Sequence, residues 1–199
     1  MGGFDLDGGP SSRVAILVEG DSDAVVVERL ASARGLRLEG GPDGAALISL
    51  RGVTNIRRVV TELRSAHPTT RLVGLADAPE ERVVAAALAP DGALPDRAEL
   101  ERRGFFVCVR DLEDELIRAL GTDVVEDAVR ELGETGRFAT FQRQPEWRDR
   151  PRAAQLHRFA GSGAGRKRAL AERLAERLDA RTTPAPLRAL LDRVERELG

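Results

Sequence analysis

The 199-residue chain predicts an α/β fold: a parallel four-stranded sheet flanked by helices and continued by a helical C-terminal extension. Three observations carry this expectation. Four short, almost wholly apolar runs read as buried parallel strands. They alternate with stretches of helical periodicity, the pattern of βαβ units with right-handed crossovers. The last third changes character, with a basic stretch followed by two amphipathic helical segments.

Taken in order, residues 1–12 are rich in Gly, Ser and Asp and are expected to be a mobile lead-in. The first strand is expected near 13–18, where Val-Ala-Ile-Leu-Val stops abruptly at Glu19. Gly20 lets the chain turn. A helix near 22–34 follows, so that Asp23 falls in its first turn, facing the crevice beyond the strand end. The cluster Gly40-Gly41-Pro42-Asp43-Gly44 is a turn into a second strand near 45–50. Helices near 54–66 and 79–89 surround a third strand near 71–76, and residues 89–103 form a longer surface connection. A fourth strand near 104–109 leads into a single helix near 112–131. Amphipathic helices near 166–179 and 185–198 close the chain. The expected organisation is a lead-in over 1–12, an α/β core over 13–135 and a basic, helical extension over 136–199 packed on that core.

Composition removes several classes of function. A formal charge of -2 and a pI near 5.9 exclude whole-chain basicity, so any nucleic-acid role rests on a local patch. The chain has no Tyr, which excludes a tyrosyl intermediate, and its single Cys excludes an internal disulfide or a cysteine-rich zinc site. Cys108, inside Phe-Phe-Val-Cys-Val, reads as an inert core residue. No apolar stretch approaches the ~20 residues of a membrane span, and the N-terminus lacks the features of a signal peptide. A cytoplasmic location is expected. Lys167 is the only lysine in the chain, and a compact ammonium with an adjustable pKa is one reason to keep it.

The strongest chemical pattern is that three strand ends deliver carboxylates. The first ends at Glu19 with Asp23 just beyond, the third at Asp77, and the fourth is followed by Asp111 and Glu113. Parallel strands bring such acids to one edge. Like charges about 4 Å apart repel by roughly 4 kcal/mol per pair at an effective dielectric of 20, so the cluster needs a cation or partial protonation. Hard oxygen ligands suit Mg²⁺ or Mn²⁺. Asp77 and Asp111 also fit helix N-caps, and Asp21 does too; Glu19, directly ending a buried strand, has no capping role.

These residues resemble a known family. Ile-Leu-Val-Glu-Gly-x-Ser-Asp, followed by a strand ending Gly-Leu-x-Asp-Ala, resembles the TOPRIM domain, the metal-binding module of topoisomerases, bacterial primases and several nucleases. Within it, the likeness is strongest to the TOPRIM half of OLD-family (overcoming lysogenization defect) endonucleases, and it spans roughly residues 13–168. The resemblance implies metal ligation by Glu19, Asp23, Asp77, Asp111 and Glu113, with one or two Mg²⁺ or Mn²⁺ ions, and a late catalytic lysine matching Lys167. The family's Asp-x-Asp reads Asp77-Ala78-Pro79, so its second aspartate is missing unless Asp111 or Glu80 substitutes. The family's ATPase half has no counterpart: Gly161 to Arg168 has glycines but no Gly-Lys-Ser/Thr ending.

The activity implied is metal-assisted phosphodiester hydrolysis of nucleic acid, DNA ahead of RNA, with Glu19 and Lys167 as catalytic residues. An RNA-processing enzyme is one alternative, and a weakly active binding module working with a separately encoded ATPase is another. Residues 137–168 hold nine Arg or Lys against Glu146 and Asp149, interleaved with Phe138, Phe141, Trp147 and Phe159. Two readings stand. Arg148, Arg150, Arg152, Arg158, Arg166 and Arg168 line a groove that neutralises phosphates and stacks bases, or they form a solvated face whose aromatic residues belong to the core. His67 and His157 read as surface residues, neither with a partner at metal-ligand spacing.

Overall fold

In a computed structural model, residues 12–89, 92–163 and 165–199 are described. The expected mobile lead-in falls almost wholly outside them. Four strands, β1 (Val14–Val18), β2 (Ala45–Ser49), β3 (Arg71–Asp77) and β4 (Phe105–Cys108), form one parallel sheet in the order β2-β1-β3-β4. Ten α-helices flank it among the described residues. β1 and β4 are rich in β-branched or aromatic residues, and β1 is buried along its whole length, as its apolar run predicts.

The sheet divides two apolar layers. Val14, Ile16 and Val18 point into one, with Val26, Val27 and Leu30 of α1 (Asp21–Ala33). Ala15 and Leu17 point into the other, with Ile56, Val59, Val60 and Leu63 of α2 (Ile56–Ala66) and Val84, Ala85 and Leu88 of α3 (Glu81–Leu88). This period of two makes Glu19 the next residue on the α2/α3 face. The helix after β1 therefore lies on one face and the helix after β3 on the other. Between adjacent parallel strands that arrangement opens a crevice at their carboxyl ends, the switch point where such sheets bind ligands.

Two expectations need correction. The connection over 89–103 contains α4 (Arg97–Arg102), started by Asp96, whose carboxylate accepts a 2.7 Å hydrogen bond from the Glu99 amide, and anchored by the fully buried Leu100. The single helix expected over 112–131 is two, α5 (Leu112–Leu120) and α6 (Thr122–Glu131). Gly121 breaks it at φ 81°, a left-handed conformation that periodicity does not reveal. The basic stretch contains α7 (Thr135–Gln142) and α8 (Arg152–Ala160).

The chain ends in α9 (Arg166–Ala175) and α10 (Ala185–Leu198). Leu170, Ala171 and Leu174 of α9 join the cluster that holds α1, and Leu187, Leu190, Leu191 and Val194 of α10 join the same layer. The packing of α9 on α1 carries the N-terminal end of α9, with Lys167, toward the edge where β1 ends. No helix among the described residues is long and apolar enough to cross a membrane.

Gly74 is where the central strands leave least room. A Cβ there would lie 2.7 Å from the Leu17 carbonyl oxygen and 2.7 Å from the Phe105 ring. Gly74→Ala is expected to destabilise the chain by about 1–3 kcal/mol, read as a lower urea midpoint with unchanged slope; an unshifted midpoint would show that β3 and Phe105 yield freely.

Candidate metal centre

Glu19 leaves β1 and Asp77 ends β3, on either side of the switch-point crevice. A one-turn 3-10 segment, Ala78–Glu80, then brings Glu80 back over the same edge. One carboxylate oxygen from each of Glu19, Asp77 and Glu80 lies within 4.8 Å of the other two, with all three residues half-buried. Pro79 pre-sets the backbone of this turn, so the residue type that removes a carboxylate also helps to present the next one.

A second group stands on the α1 side. Asp23 is 5% exposed and accepts a 2.9 Å hydrogen bond from the Gly20 amide. Glu113, in the first turn of α5, is 8% exposed, and its Oε2 meets Lys167 Nζ at 3.1 Å. The electrostatics join the two groups. Burial, then repulsion by Asp23 and Glu19, pushes the Asp77 carboxyl up to about 8. Burial and a hydrogen bond to Glu19 push Glu80 to about 8 as well. For Asp23 burial dominates, and Lys167 partly offsets it, leaving about 6. Lys167 is pushed up to about 12 because Glu113 and Asp23 outweigh the cost of its burial.

Asp111 takes a different position. Its Oδ1 caps α5 by accepting from the Asp114 amide at 2.8 Å, and its Oδ2 lies 2.6 Å from His157 Nε2. His157, expected at the surface, is half-buried and paired across 46 residues. Both partners hold the Asp111 carboxyl below its ordinary value despite its burial. Asp77 makes no capping hydrogen bond, and Asp21 accepts instead from Ser49 Oγ at 2.9 Å. Of the alternatives the sequence left open, Asp111 realises the cap and Asp77 does not.

The expected nucleic-acid arginines divide. Arg152 pairs with Glu126 at 2.9 Å and Arg148 with its neighbour Asp149 at 3.2 Å. Arg166 is drawn inside: it pairs with Glu134 at 2.9 Å and lies 4.0 Å above the Phe159 ring. Arg150, Arg158 and Arg168 are exposed, with no ion pair among the described residues. Phe138, Phe141 and Phe159 are buried and in ring contact, so they belong to the core.

The donor set suits a hard divalent cation. Among the described residues, Glu80 Oε2 and Glu113 Oε1 are buried carboxylate oxygens with no hydrogen-bond partner, an expensive state that a cation or a proton relieves. Glu80 is the residue that sequence reasoning placed only as a substitute; its signal was the missing second aspartate just before it.

The comparisons agree with the fold. The chain superposes on the C-terminal region of the Burkholderia pseudomallei OLD protein with a TM-score of 0.67 at 22% identity, covering 94% of this chain and 99% of that one. It superposes on the C-terminal region of the Xanthomonas campestris pv. campestris OLD protein with a TM-score of 0.67 at 25% identity, covering 94% of each. No protein-family model and no curated protein matches. The fold is thus that of OLD C-terminal regions, in agreement with the TOPRIM resemblance in the sequence.

Protonation sets a pH signature without added metal. Asp23, Asp77 and Glu80 bind protons more tightly folded than unfolded, so their contribution to stability is complete below about pH 4 and is lost as pH rises through about 6 to 8. Glu80, the least buried, counts for less. In EDTA the melting temperature is expected to fall between pH 5 and pH 9, and Asp77→Asn to lessen that fall by about 3 °C or more; equal slopes would remove Asp77 from the coupled cluster.

Proposed function

We propose that the chain is a divalent-metal-dependent nuclease that hydrolyses phosphodiester bonds in DNA. The observation that carries this is the convergence of Glu19, Asp77 and Glu80 at the β1/β3 crevice, with buried carboxylate oxygens lacking partners. Glu19, Asp77 and Glu80 would hold one Mg²⁺ or Mn²⁺, and Asp23 with Glu113 flank the same edge. Bound there, such an ion would supply Lewis-acid chemistry, polarising a phosphate oxygen and lowering the pKa of a water.

The chain's own groups divide the remaining work. Asp77 and Glu80 hold protons near neutral pH, through burial first and neighbouring carboxylates second, and would release them to a cation whose charge offsets both. Glu19 helps Glu80 hold its proton in the unloaded centre, and with the centre loaded its carboxylate would be the group at the β1 end that takes up a proton. Lys167, fixed by Glu113 and firmly cationic, offers a point charge to phosphate oxygens as negative charge develops. Glu80 supplies the carboxylate that Pro79 displaces from the family's Asp-x-Asp, which favours catalysis over an inactive binding module. The likeness to the C-terminal region of OLD proteins supports the same reading, and a separately encoded ATPase is the partner it suggests.

The test is cleavage of supercoiled plasmid and of structured RNA with Mn²⁺, Mg²⁺ or EDTA. Nicking of plasmid with Mn²⁺ is expected, with Glu19→Gln and Lys167→Ala each slower by roughly 100-fold or more. Equal cleavage by Glu19→Gln would refute the site, and cleavage of RNA alone would reassign the substrate. Glu80→Gln separates this centre from the family pattern: it is expected to lower Mn²⁺ affinity by roughly 10–100-fold in a calorimetric titration, and unchanged affinity would remove Glu80 from the ligand set.

A further inference from the structure

Residues of α7, α8, the loop between them and the flanking segments line two open grooves of about 730 and about 420 Å³. Trp147 and Arg158 line both, so the two form one track. Arg137 and Arg166, both paired with Glu134, stand at the larger groove, with Glu146 the one carboxylate lining it among the described residues, while Arg110 and Arg150 stand at the smaller one. His157 lines the smaller groove and contacts Asp111, the residue that starts α5 three residues beyond the end of β4. The track therefore leads to the edge of the sheet that carries the carboxylates.

Its walls are held in place. The Trp147 ring is half-exposed and backed by Phe141, with ring centroids 5.2 Å apart and planes inclined by 28°. Gln155, 5% exposed, fixes the segment that carries the track residues: its amide nitrogen donates to the Trp147 carbonyl at 2.7 Å and to the Arg150 carbonyl at 3.1 Å, and its oxygen accepts from Gln142 at 2.9 Å. A buried amide with all these contacts satisfied rigidifies the loop around it. Arg150 and Arg158 are left with no ion pair among the described residues, so their charge is available.

We infer that this track binds single-stranded nucleic acid, with an unpaired base stacked on Trp147 and flanking phosphates on Arg150 and Arg158, and feeds that strand to the acid cluster. The inference rests on the nuclease reading of that cluster and deepens it by naming the substrate class. A rigid aromatic ring beside uncommitted guanidiniums is the chemistry of single-strand recognition, where every base offers a face and every step a phosphate. A duplex covers its base faces with neighbouring pairs and offers only edges and phosphates, so it leaves the ring unused.

Trp147 is the only Trp in a chain without Tyr, so the intrinsic emission reports this wall directly. Ten-nucleotide oligo(dT), oligo(rU) and a blunt duplex of equal length are titrated into the full chain in EDTA, where no cleavage intervenes. Expected are quenching of Trp147 emission by the single strands and affinity roughly 10-fold or more above that for the duplex. By anisotropy of labelled oligo(dT), the exposed double variant Arg150→Ala/Arg158→Ala is expected to lower the slope of log affinity against log salt by about 1.4, and Trp147→Leu to weaken binding roughly 10-fold. Unmoved emission at saturation, equal affinity for the duplex, or an unaltered salt slope in the double variant each overturns the inference. Quenching without Mn²⁺-dependent cleavage would sink the nuclease reading and leave the track; cleavage without single-strand preference would do the reverse.

Discussion

Repulsion among carboxylates at the carboxyl ends of β1 and β3 is the constraint to which the rest of the molecule answers. Burial removes the water that would screen them, and the low dielectric strengthens every like-charge contact. The chain meets this in two ways. Asp77 and Glu80 stay protonated near neutral pH, and the one lysine is brought in from α9 to neutralise Glu113 and moderate Asp23. The placement of α9 on α1 is accordingly electrostatic as well as apolar: Leu170 and Leu174 dock it, and Lys167 at its first turn reaches the acids.

The centre of this arrangement was legible in the sequence. Apolar runs that end in acid announce strands that stop at a functional edge, and Glu19 had no structural role to compete with that reading. Gly20 and Asp23 followed from the same local signals, whereas Lys167 stood out as the one lysine of the chain and through the family resemblance. Asp77 and Asp111 look alike in sequence, each an acid at a helix start, and only three-dimensional partners separate them: Asp111 finds an amide and an imidazole, Asp77 finds other carboxylates. Glu80 enters the group because a single 3-10 turn redirects the chain, a geometry that residue spacing does not encode.

The C-terminal third was less legible because charge and aromatic content there serve several ends at once. Phe138, Phe141 and Phe159 fill the core, while Arg166 spends its guanidinium on Glu134 and on the Phe159 face. Composition treats these arginines as equals; ion pairing distinguishes them. Arg152 is tied to Glu126, whereas Arg150 and Arg158, neighbours of it in sequence, carry no such tie among the described residues. The helix break at Gly121 shares the cause of this opacity, since a left-handed residue changes direction without changing polarity.

The pairing of His157 with Asp111 has a mechanical side. Asp111 is held by two hands at once, the first turn of α5 through the Asp114 amide and the middle of α8 through the imidazole. A rigid displacement of α8 must either break the 2.6 Å contact or drag the start of α5, and Glu113 rides two residues into that turn. Glu113 in turn grips Lys167. One short chain of contacts, running α8 to Asp111 to Glu113 to α9, thus ties the aromatic and arginine-bearing wall to the ammonium beside the acids through a single helix cap.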